Sequence, residues 1–386
     1  MFIDIDCARQ KKYNQHAYGD YFTSRRYPDT GRLIAVLSDG LGSGIKANIL
    51  ACLTATMLLR FIAGGSNIQK ACETILNALP VCKVRKISYA TFSAIDCRDD
   101  GAAQIVEEGN PQFIWLRDQQ VLTPEHAVIT SRTFANRRMH IYQLQLARDD
   151  RLIFCSDGVT QTGMGSPQLK LGLRRAGLIE MVLAKLRGSP QISSRELAGY
   201  IVAQAQKLDA GQKAQDDISA VSLHFREPRK ALVFTGPPYD HSTDNFYARI
   251  FQNFNGKKAV CGGTTANLLS RELNLQIISA LGQDAGRLPG ISYMDGAQLV
   301  TEGILTLTKT AEYLENNELV QEDAAAKLAR FLLDSDCINF MVGARLNQAH
   351  YDPALPVEIE IRRTVIKKIS RLLTEKYFKK ATIQYI

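Results

Sequence analysis

The 386-residue sequence contains no Cys-x-x-Cys pair, although it has eight cysteines. The cysteines are scattered, and several lie in apolar runs such as ILACLTATMLL and RLIFCSDG. This distribution is typical of buried, reduced thiols in a cytosolic protein. The absence of paired cysteines argues against a disulfide framework, and the sequence predicts a cytoplasmic location.

A signal peptide and an uninterrupted apolar span are also missing. No charged-then-apolar segment of the signal-peptide kind stands at the N-terminus. The most apolar stretch, residues 45–63, is interrupted by polar residues, which are Lys46, Asn48, Thr54, Thr56 and Arg60. We therefore expect a core helix there, not a membrane span, and no membrane association.

Motifs for nucleic-acid and nucleotide binding are absent as well. The net charge is +8, but no basic run with interleaved aromatics appears. The segment DGLGSGIKA fails the P-loop pattern, because Ala47 follows Lys46, and it fails the dinucleotide pattern, because residue 45 is isoleucine. The positive charge fits generic solubility or an acidic or phosphorylated protein partner. We expect no nucleic-acid partner.

Length and composition predict a soluble chain of two or three domains without repeats. The content of 45% hydrophobic and 22% charged residues is ordinary for globular proteins. A short charged segment that contains proline, REPRK at 226–230, indicates a domain boundary. The sequence thus predicts one domain over residues 1–226 and another over 231–386.

The first domain is expected to be rich in antiparallel strands. FIDIDCARQKKYN predicts a strand with a hairpin partner in HAYGDYFTSRR, and Ser43 is expected to cap a helix that ends near Ala63. Helices are also predicted over 68–79 and 194–208. Further strands are predicted at GRLIAVLSDG, YATFSAIDC, AAQIVEEG, QFIWLRD, HIYQLQLA, DRLIFCSDG and DDISAVSLHF. This pattern favours two antiparallel sheets covered by helices, an α+β class.

The second domain alternates strands and helices, which indicates a smaller α/β fold. Strands are predicted at KALVFTG, KKAVCGG and CINFMVGAR. Helices are predicted over 244–254, TTANLLSREL, 298–315, 322–333 and 357–378.

Four short acidic motifs in the first domain carry the chemistry. Two aspartates follow buried strands, Asp39 after LIAVL and Asp157 after LIFC; the others are Asp20 in AYGDYF and the pair Asp216-Asp217 in QDDISAV. Aspartates at strand ends can converge, and converging carboxylates need cations to offset their repulsion. Hard cations such as Mg²⁺ and Mn²⁺ prefer oxygen ligands, so these motifs predict a divalent-metal site.

The order of these motifs over residues 1–226 resembles the metal-dependent type-2C protein phosphatase family, in particular the bacterial branch typified by stage II sporulation protein E. The resemblance implies a four-layer α-β-β-α sandwich and two divalent cations, Mn²⁺ or Mg²⁺. It implies that Asp39 bridges both cations, that Asp20 and the carbonyl of Gly40 complete the first site, and that Asp157 and Asp216 complete the second. Asp217 is the less expected ligand of its pair. The resemblance does not extend to residues 227–386.

The second domain offers one further motif, CGGTTAN, between a strand and a helix. Gly262, Gly263, Thr264 and Thr265 could bind an anion through their amides, or they could simply form a turn and a helix cap. The prediction is a ligand-binding loop at the carboxyl edge of a parallel sheet.

The resemblance implies hydrolysis of phosphoserine or phosphothreonine on a regulatory protein by a metal-activated water, with a C-terminal regulatory or partner-binding domain and a possible homodimer. One alternative is a non-catalytic signalling scaffold with a degenerate phosphatase domain. Another is a ligand sensor whose C-terminal domain is the primary functional unit.

Overall fold

The computed structural model describes residues 1–65, 68–78, 90–130, 137–279, 290–317, 320–344 and 355–386. The chain divides into two compact units, Met1–Glu227 and Pro228–Ile386. The division falls within the charged segment 226–230. Each unit has hydrophobic clusters of its own.

The described part of the first unit contains eleven strands and five α-helices. The strands are β1 (Phe2–Gln10), β2 (Asp20–Tyr27), β3 (Arg32–Gly40), β4 (Ala90–Arg98), β5 (Ala102–Glu108), β6 (Ile114–Arg117), β7 (Gln120–Leu122), β8 (His126–Thr130), β9 (Arg138–Gln145), β10 (Asp150–Cys155) and β11 (Ile218–Arg226). The helices are α1 (Ile45–Ala63), α2 (Ile68–Ala78), α3 (Asp157–Gln161), α4 (Arg174–Gly188) and α5 (Ser194–Leu208).

These elements form a four-layer sandwich. One sheet has the order β1-β11-β10-β6-β7 and the other β2-β3-β4-β5-β9-β8, with antiparallel pairing throughout. Helices α1 and α2 cover the six-stranded sheet, and α4 and α5 cover the five-stranded sheet. The predicted α-β-β-α arrangement is therefore confirmed for this unit.

The apolar run in β3 is explained by burial on both faces. Leu33, Ala35 and Leu37 point into the core between the two sheets, whereas Ile34 and Val36 pack beneath α1. A strand that is buried on both sides reads as continuous hydrophobic sequence, not as an alternating pattern. The same packing makes β3 a rigid support for the aspartate at its carboxyl end.

By length and composition alone, helix α1 is long and apolar enough to cross a membrane. Of its most apolar 18-residue stretch, 39% is buried inside the structure. Its inner face, which includes Ala51, Ala55 and Leu58, packs in the core above β3. Ile45 and Ile49 remain exposed on the outer face. The inner side of α1 therefore packs in the core, as expected for a core helix.

Three predictions for this unit are wrong. The strands β1 and β2 do not form a hairpin, because β1 pairs with β11 in one sheet and β2 with β3 in the other. Likewise β6 leaves the run of successive strands and pairs with β10. Ser43 does not cap α1; the N-cap is Gly44, because the positive φ angles of Gly42 and Gly44 redirect the backbone after β3.

The second unit is an α/β sheet. Its described strands are β12 (Lys230–Thr235), β13 (Lys257–Cys261), β14 (Ile277–Ser279), β15 (Ser292–Met294), β16 (Ala297–Thr301), β17 (Cys337–Val342) and β18 (Lys380–Tyr385). Its described helices are α6 (Asp244–Asn253), α7 (Gly263–Leu273), α8 (Ile304–Asn316), α9 (Ala324–Leu333) and α10 (Leu355–Glu375).

The sheet order is β14-β15-β16-β13-β12-β17-β18. Five neighbouring strands in this order are parallel to one another, namely β16, β13, β12, β17 and β18. The sequence expectation of a helix over 298–315 is wrong at its start. Residues 297–301 form β16, and α8 begins only after Gly303. The alternation of strands and helices, and hence the α/β class, is as expected.

Candidate metal centre

Two of the predicted ligands face each other across neighbouring strands. Asp20 begins β2 and Asp39 lies near the end of β3, and the antiparallel register places them directly opposite. Residues opposite each other in such a pair project from the same face of the sheet. Phe22 and Leu37, two residues along each strand, lie in the core between the sheets, so both carboxyl groups open into the edge of that core.

The other two predicted ligands come from the opposite sheet. Asp157 is the first residue of α3, just after β10, and Asp216 lies just before β11. β10 and β11 are paired, and Cys155 aligns with Ala220, so the end of one strand meets the start of the other. Each sheet therefore contributes two aspartates to the same edge of the sandwich.

Asp39 occupies the centre of this group. Its carboxyl group interacts electrostatically with Asp20 of its own sheet and with Asp157 of the other. Burial, followed by the negative charges of Asp20, Asp157 and Asp216, raises its pKa far above the usual range. A carboxyl group that lies near one carboxyl group from each sheet is placed where a bridge between two cations would have to be.

Asp20 is the most deeply buried of the four, with no exposed surface. Burial raises its pKa, and the nearby hydroxyls of Ser219 and Ser156 lower it in part. Those contacts are loose, because neither carboxylate oxygen of Asp20 accepts a hydrogen bond of normal geometry in the described structure. A buried carboxylate without well-formed hydrogen bonds is unfavourable, and a cation beside it would offset that cost.

The donor set therefore fits hard divalent cations in its chemistry, since it is partly buried and made of carboxylate oxygens. Its spacing is not that of a preformed site: within the described ranges, no three His, Cys, Asp or Glu side chains already stand as a metal-holding group. Mutual repulsion of the carboxylates accounts for this wider spacing.

Gly40 directly follows the central aspartate, and its small size has a packing reason. A side-chain carbon at this position would lie 2.2 Å from the backbone oxygen of Ala47 in α1. The close approach of α1 to β3 is the constraint that the structure shows.

Asp217 has a different task from Asp216. Its two carboxylate oxygens accept hydrogen bonds from the amides of Lys12 (3.1 Å) and Gly19 (2.9 Å), so it holds the segment that leads into Asp20. Asp216 instead accepts a hydrogen bond from the amide of Asp217 (3.0 Å). Asp217 is thus a positioning residue, and Asp216 stays the predicted ligand.

This division predicts different effects for two neighbouring substitutions. Asp216→Asn should weaken Mn²⁺ activation strongly with little change in melting temperature, because it removes a ligand charge. Asp217→Asn should have the milder effect on Mn²⁺ activation but should destabilise the fold by about 1–3 kcal/mol, because an asparagine can accept from only one of the two amides. Mn²⁺ titrations of activity and thermal melts distinguish them. A stronger loss of Mn²⁺ affinity in Asp217→Asn would show that the ligand assignment is reversed.

Two residues that the motifs did not indicate support the centre. Gln161, one helical turn after Asp157, donates a hydrogen bond to its carboxylate (2.7 Å), which the spacing of four in DGVTQ could have suggested. Arg9 on β1 donates to the backbone oxygen of Asp20 (3.3 Å). No local signal could reveal Arg9, because β1 lies in the other sheet.

The residues predicted as a ligand-binding loop in the second unit lie where β13 ends and α7 begins. Gly262 is the N-cap, with φ of 132°, and Gly263 is the first helical residue. Gly263 and Thr264 are exposed, whereas Thr265 is fully buried. The side chain of Thr264 provides no cap, since no side-chain hydrogen bond caps this helix.

Comparison with known proteins gives one family. Residues 29–226 match the family model of stage II sporulation protein E (SpoIIE). Three of the four predicted ligands, Asp39, Asp157 and Asp216, lie inside the match, and Asp20 lies just before it. A curated relative, stage II sporulation protein E of Bacillus subtilis (strain 168), is 24% identical over 193 residues, which cover 50% of this chain and 22% of that protein.

Solved structures give more distant similarities. The PP2C phosphatase domain with a fragment of the regulatory domain of SpoIIE from Bacillus subtilis is 19% identical, with a TM-score of 0.49, over 58% of this chain and 63% of that one. The RsbU and RsbW domains of a Mycobacterium tuberculosis protein are 17% identical, with a TM-score of 0.45, over 65% of this chain and 69% of theirs.

The present chain thus spans about a fifth of the length of the curated relative that it matches. The family model alone, however, covers half of the chain, including Asp39, Asp157 and Asp216 and the strands next to them. By this match, the chain belongs to the stage II sporulation protein E family.

Proposed function

We propose that this chain is a divalent-metal-dependent phosphatase that hydrolyses phosphoserine or phosphothreonine on a regulatory protein. The observation that carries the proposal is the position of Asp39, whose carboxyl group reaches Asp20 from its own sheet and Asp157 from the other. Four carboxylates gathered at one partly buried edge repel one another, and bound cations would offset that repulsion.

Two divalent cations, when bound, would supply positive charge for the phosphoryl oxygens and lower the pKa of a water molecule. Asp20, Asp39 and the carbonyl of Gly40 would hold one cation, and Asp39, Asp157 and Asp216 the other. The chain's own contribution is orientation. Asp217 fixes the segment before Asp20, and Gln161 fixes the carboxylate of Asp157.

Support for a protein substrate comes from the net charge of +8, which favours an acidic or phosphorylated partner, and from membership of the family. The second unit would serve as a regulatory or partner-binding module, the chain would act in the cytoplasm, and a homodimer is compatible with this role. Each of these points is part of the proposal.

The proposal predicts metal-dependent turnover. The purified protein should hydrolyse p-nitrophenyl phosphate in the presence of Mn²⁺ or Mg²⁺. Exhaustive treatment with EDTA should abolish the reaction, because without cations nothing lowers the pKa of the attacking water or offsets the charge of the phosphoryl oxygens. Re-addition of Mn²⁺ should restore turnover, which controls for irreversible loss of the fold. Undiminished activity after chelation would rule out the two-cation mechanism, and no activity with any divalent cation would favour the scaffold alternative.

A further inference from the structure

Two glycine loops face each other at the carboxyl edge of the parallel sheet in the second unit. Gly262 follows β13 and Gly303 follows β16, and these two strands are neighbours. A side-chain carbon placed on Gly262 would lie 4.0 Å from the Cα atom of Gly303, and one placed on Gly303 would lie 3.7 Å from the Cα atom of Gly262. Both distances are ordinary van der Waals contacts, so the two loops approach closely at these glycines. The space in front of them is open, because a side-chain carbon on the exposed Gly263 would meet no atom within 4 Å. We call this open space the gap.

The helices that follow these loops leave toward opposite faces of the sheet. Helix α7 packs through Leu268 and Leu269 on the face that carries Val260. Helix α8 packs through Leu307 on the face that carries Ala259. Adjacent loops that diverge in this way form a crevice, and open α/β sheets bind ligands in such crevices.

Both helices present their first-turn amides to this crevice. The N-caps are glycines, so neither helix has a side-chain cap. The amides of the first three residues of a helix have no partner inside the helix and carry a partial positive charge. Two uncapped N-termini that meet across a gap therefore concentrate donors for an anion.

A second, independent feature points to a ligand. The side chains of Thr265 and Thr306 have no exposed surface, and neither hydroxyl has a hydrogen-bond partner among the described residues. Each is the third residue of its helix. The hydroxyl oxygen of Thr265 lies 3.4 Å from the position that a side-chain carbon on Gly262 would take, so it faces the gap.

We propose that the gap in front of Gly262 and Gly303 binds a phosphate group of a small molecule, held by the first-turn amides of α7 and α8 and by the hydroxyls of Thr265 and Thr306. Six amides and two hydroxyls offer more donors than the two oxygens of a carboxylate can use, whereas a phosphate group has three or four acceptor oxygens. The nearby Glu302 is exposed, so solvent screens its charge.

The test is the binding of inorganic phosphate by the full-length protein in EDTA, where the acidic cluster of the first unit has no cation to attract phosphate. Isothermal titration calorimetry gives the affinity, with chloride at equal ionic strength as the blank. Thr265→Val and Thr306→Val remove the hydroxyls and keep the shape. Gly263→Asp places a carboxylate at the opening, where a side-chain carbon meets no neighbour and the helix N-terminus favours an acidic residue.

Thr310→Val is the matched control, because this buried threonine one turn further along α8 donates its hydroxyl to the backbone oxygen of Thr306 (2.7 Å). We expect saturable phosphate binding by the wild type and the control, a loss of about tenfold for each hydroxyl removed, and no binding by Gly263→Asp. Without phosphate, the two valine variants should melt no lower than the wild type, because each loses an unpaired buried hydroxyl. Absence of phosphate binding by the wild type would overturn the proposal. So would binding as tight as that of the wild type in Gly263→Asp and in the valine variants.

Discussion

Asp39→Asn should lower kcat for p-nitrophenyl phosphate by several orders of magnitude while leaving the fold intact. Asp39 is the residue that reaches ligands of both sheets, so its charge is shared between the two proposed cations. A neutral amide would weaken the hold on both at once and remove the charge that keeps them close. A substitution of Asp20, Asp157 or Asp216 should weaken the binding of mainly one cation.

The same substitution should leave a second signature in stability. In EDTA the carboxyl group of Asp39 is buried beside other carboxyl groups, which raises its pKa and makes its charged form unfavourable. Asp39→Asn removes this repulsion, so the variant should melt no lower than the wild type in EDTA. It should also lose most of the rise in melting temperature that Mn²⁺ gives the wild type.

Asp118→Asn provides the control, because Asp118 is exposed in the turn between β6 and β7 and has a φ of 49°, which asparagine tolerates well. It should match the wild type in kcat and in the response to Mn²⁺. Substantial remaining activity in Asp39→Asn, or a clear drop of its melting temperature in EDTA, would contradict the central role of Asp39.

The strands that carry the centre could be predicted from local sequence. The apolar runs before Asp39 and Asp157 are long enough to identify buried strands, and the aspartates mark where each strand ends. The pairing of Asp20 with Asp39 could not be predicted, because a register depends on the partner strand. Nothing near residue 20 shows that β2 pairs with β3 and leaves β1 to the other sheet.

Other differences have the same origin in distant contacts. The purpose of Asp217 depends on the amides of Lys12 and Gly19, about two hundred residues away, and the sequence shows only an acidic pair. In the second unit, by contrast, a local signal was present. Gly303 separates β16 from α8, and glycine at that point marks a break that the apolar periodicity alone concealed.

Two neighbouring glutamates at the end of β5 should respond to neutralisation in opposite ways. Glu107 points into the core between the sheets, where its carboxyl group accepts hydrogen bonds from the amide of Phe113 (3.2 Å) and the hydroxyl of Ser93 (3.1 Å). It has 3% of its surface exposed. Burial raises its pKa to about 8, although those hydrogen bonds and the charge of Arg175 act in the other direction.

A raised pKa means that the folded protein favours the protonated carboxyl group. The unfolded chain releases this proton near its ordinary pKa, so unfolding becomes easier as the pH rises from about 4.5 toward 8, by up to about 1.4 kcal/mol per pH unit. Glu107→Gln resembles the protonated form and keeps an acceptor oxygen. At pH 8 it should raise the free energy of unfolding by an amount on the order of a few kcal/mol, and at pH 5 it should change little.

Glu108 faces the helix-covered side of the sheet and pairs with Arg137 at 3.2 Å, and both side chains are less than a tenth exposed. Burial raises the pKa of Glu108 in spite of that partner. Arginine keeps its charge when buried, so Glu108→Gln would remove the carboxylate that faces the buried guanidinium and should destabilise the fold by about 3–5 kcal/mol. Urea unfolding of both variants and the wild type in EDTA, at pH 5 and pH 8, measures these changes in the free energy of unfolding. Equal destabilisation by the two substitutions at pH 8 would show that Glu107 is held as a charged group.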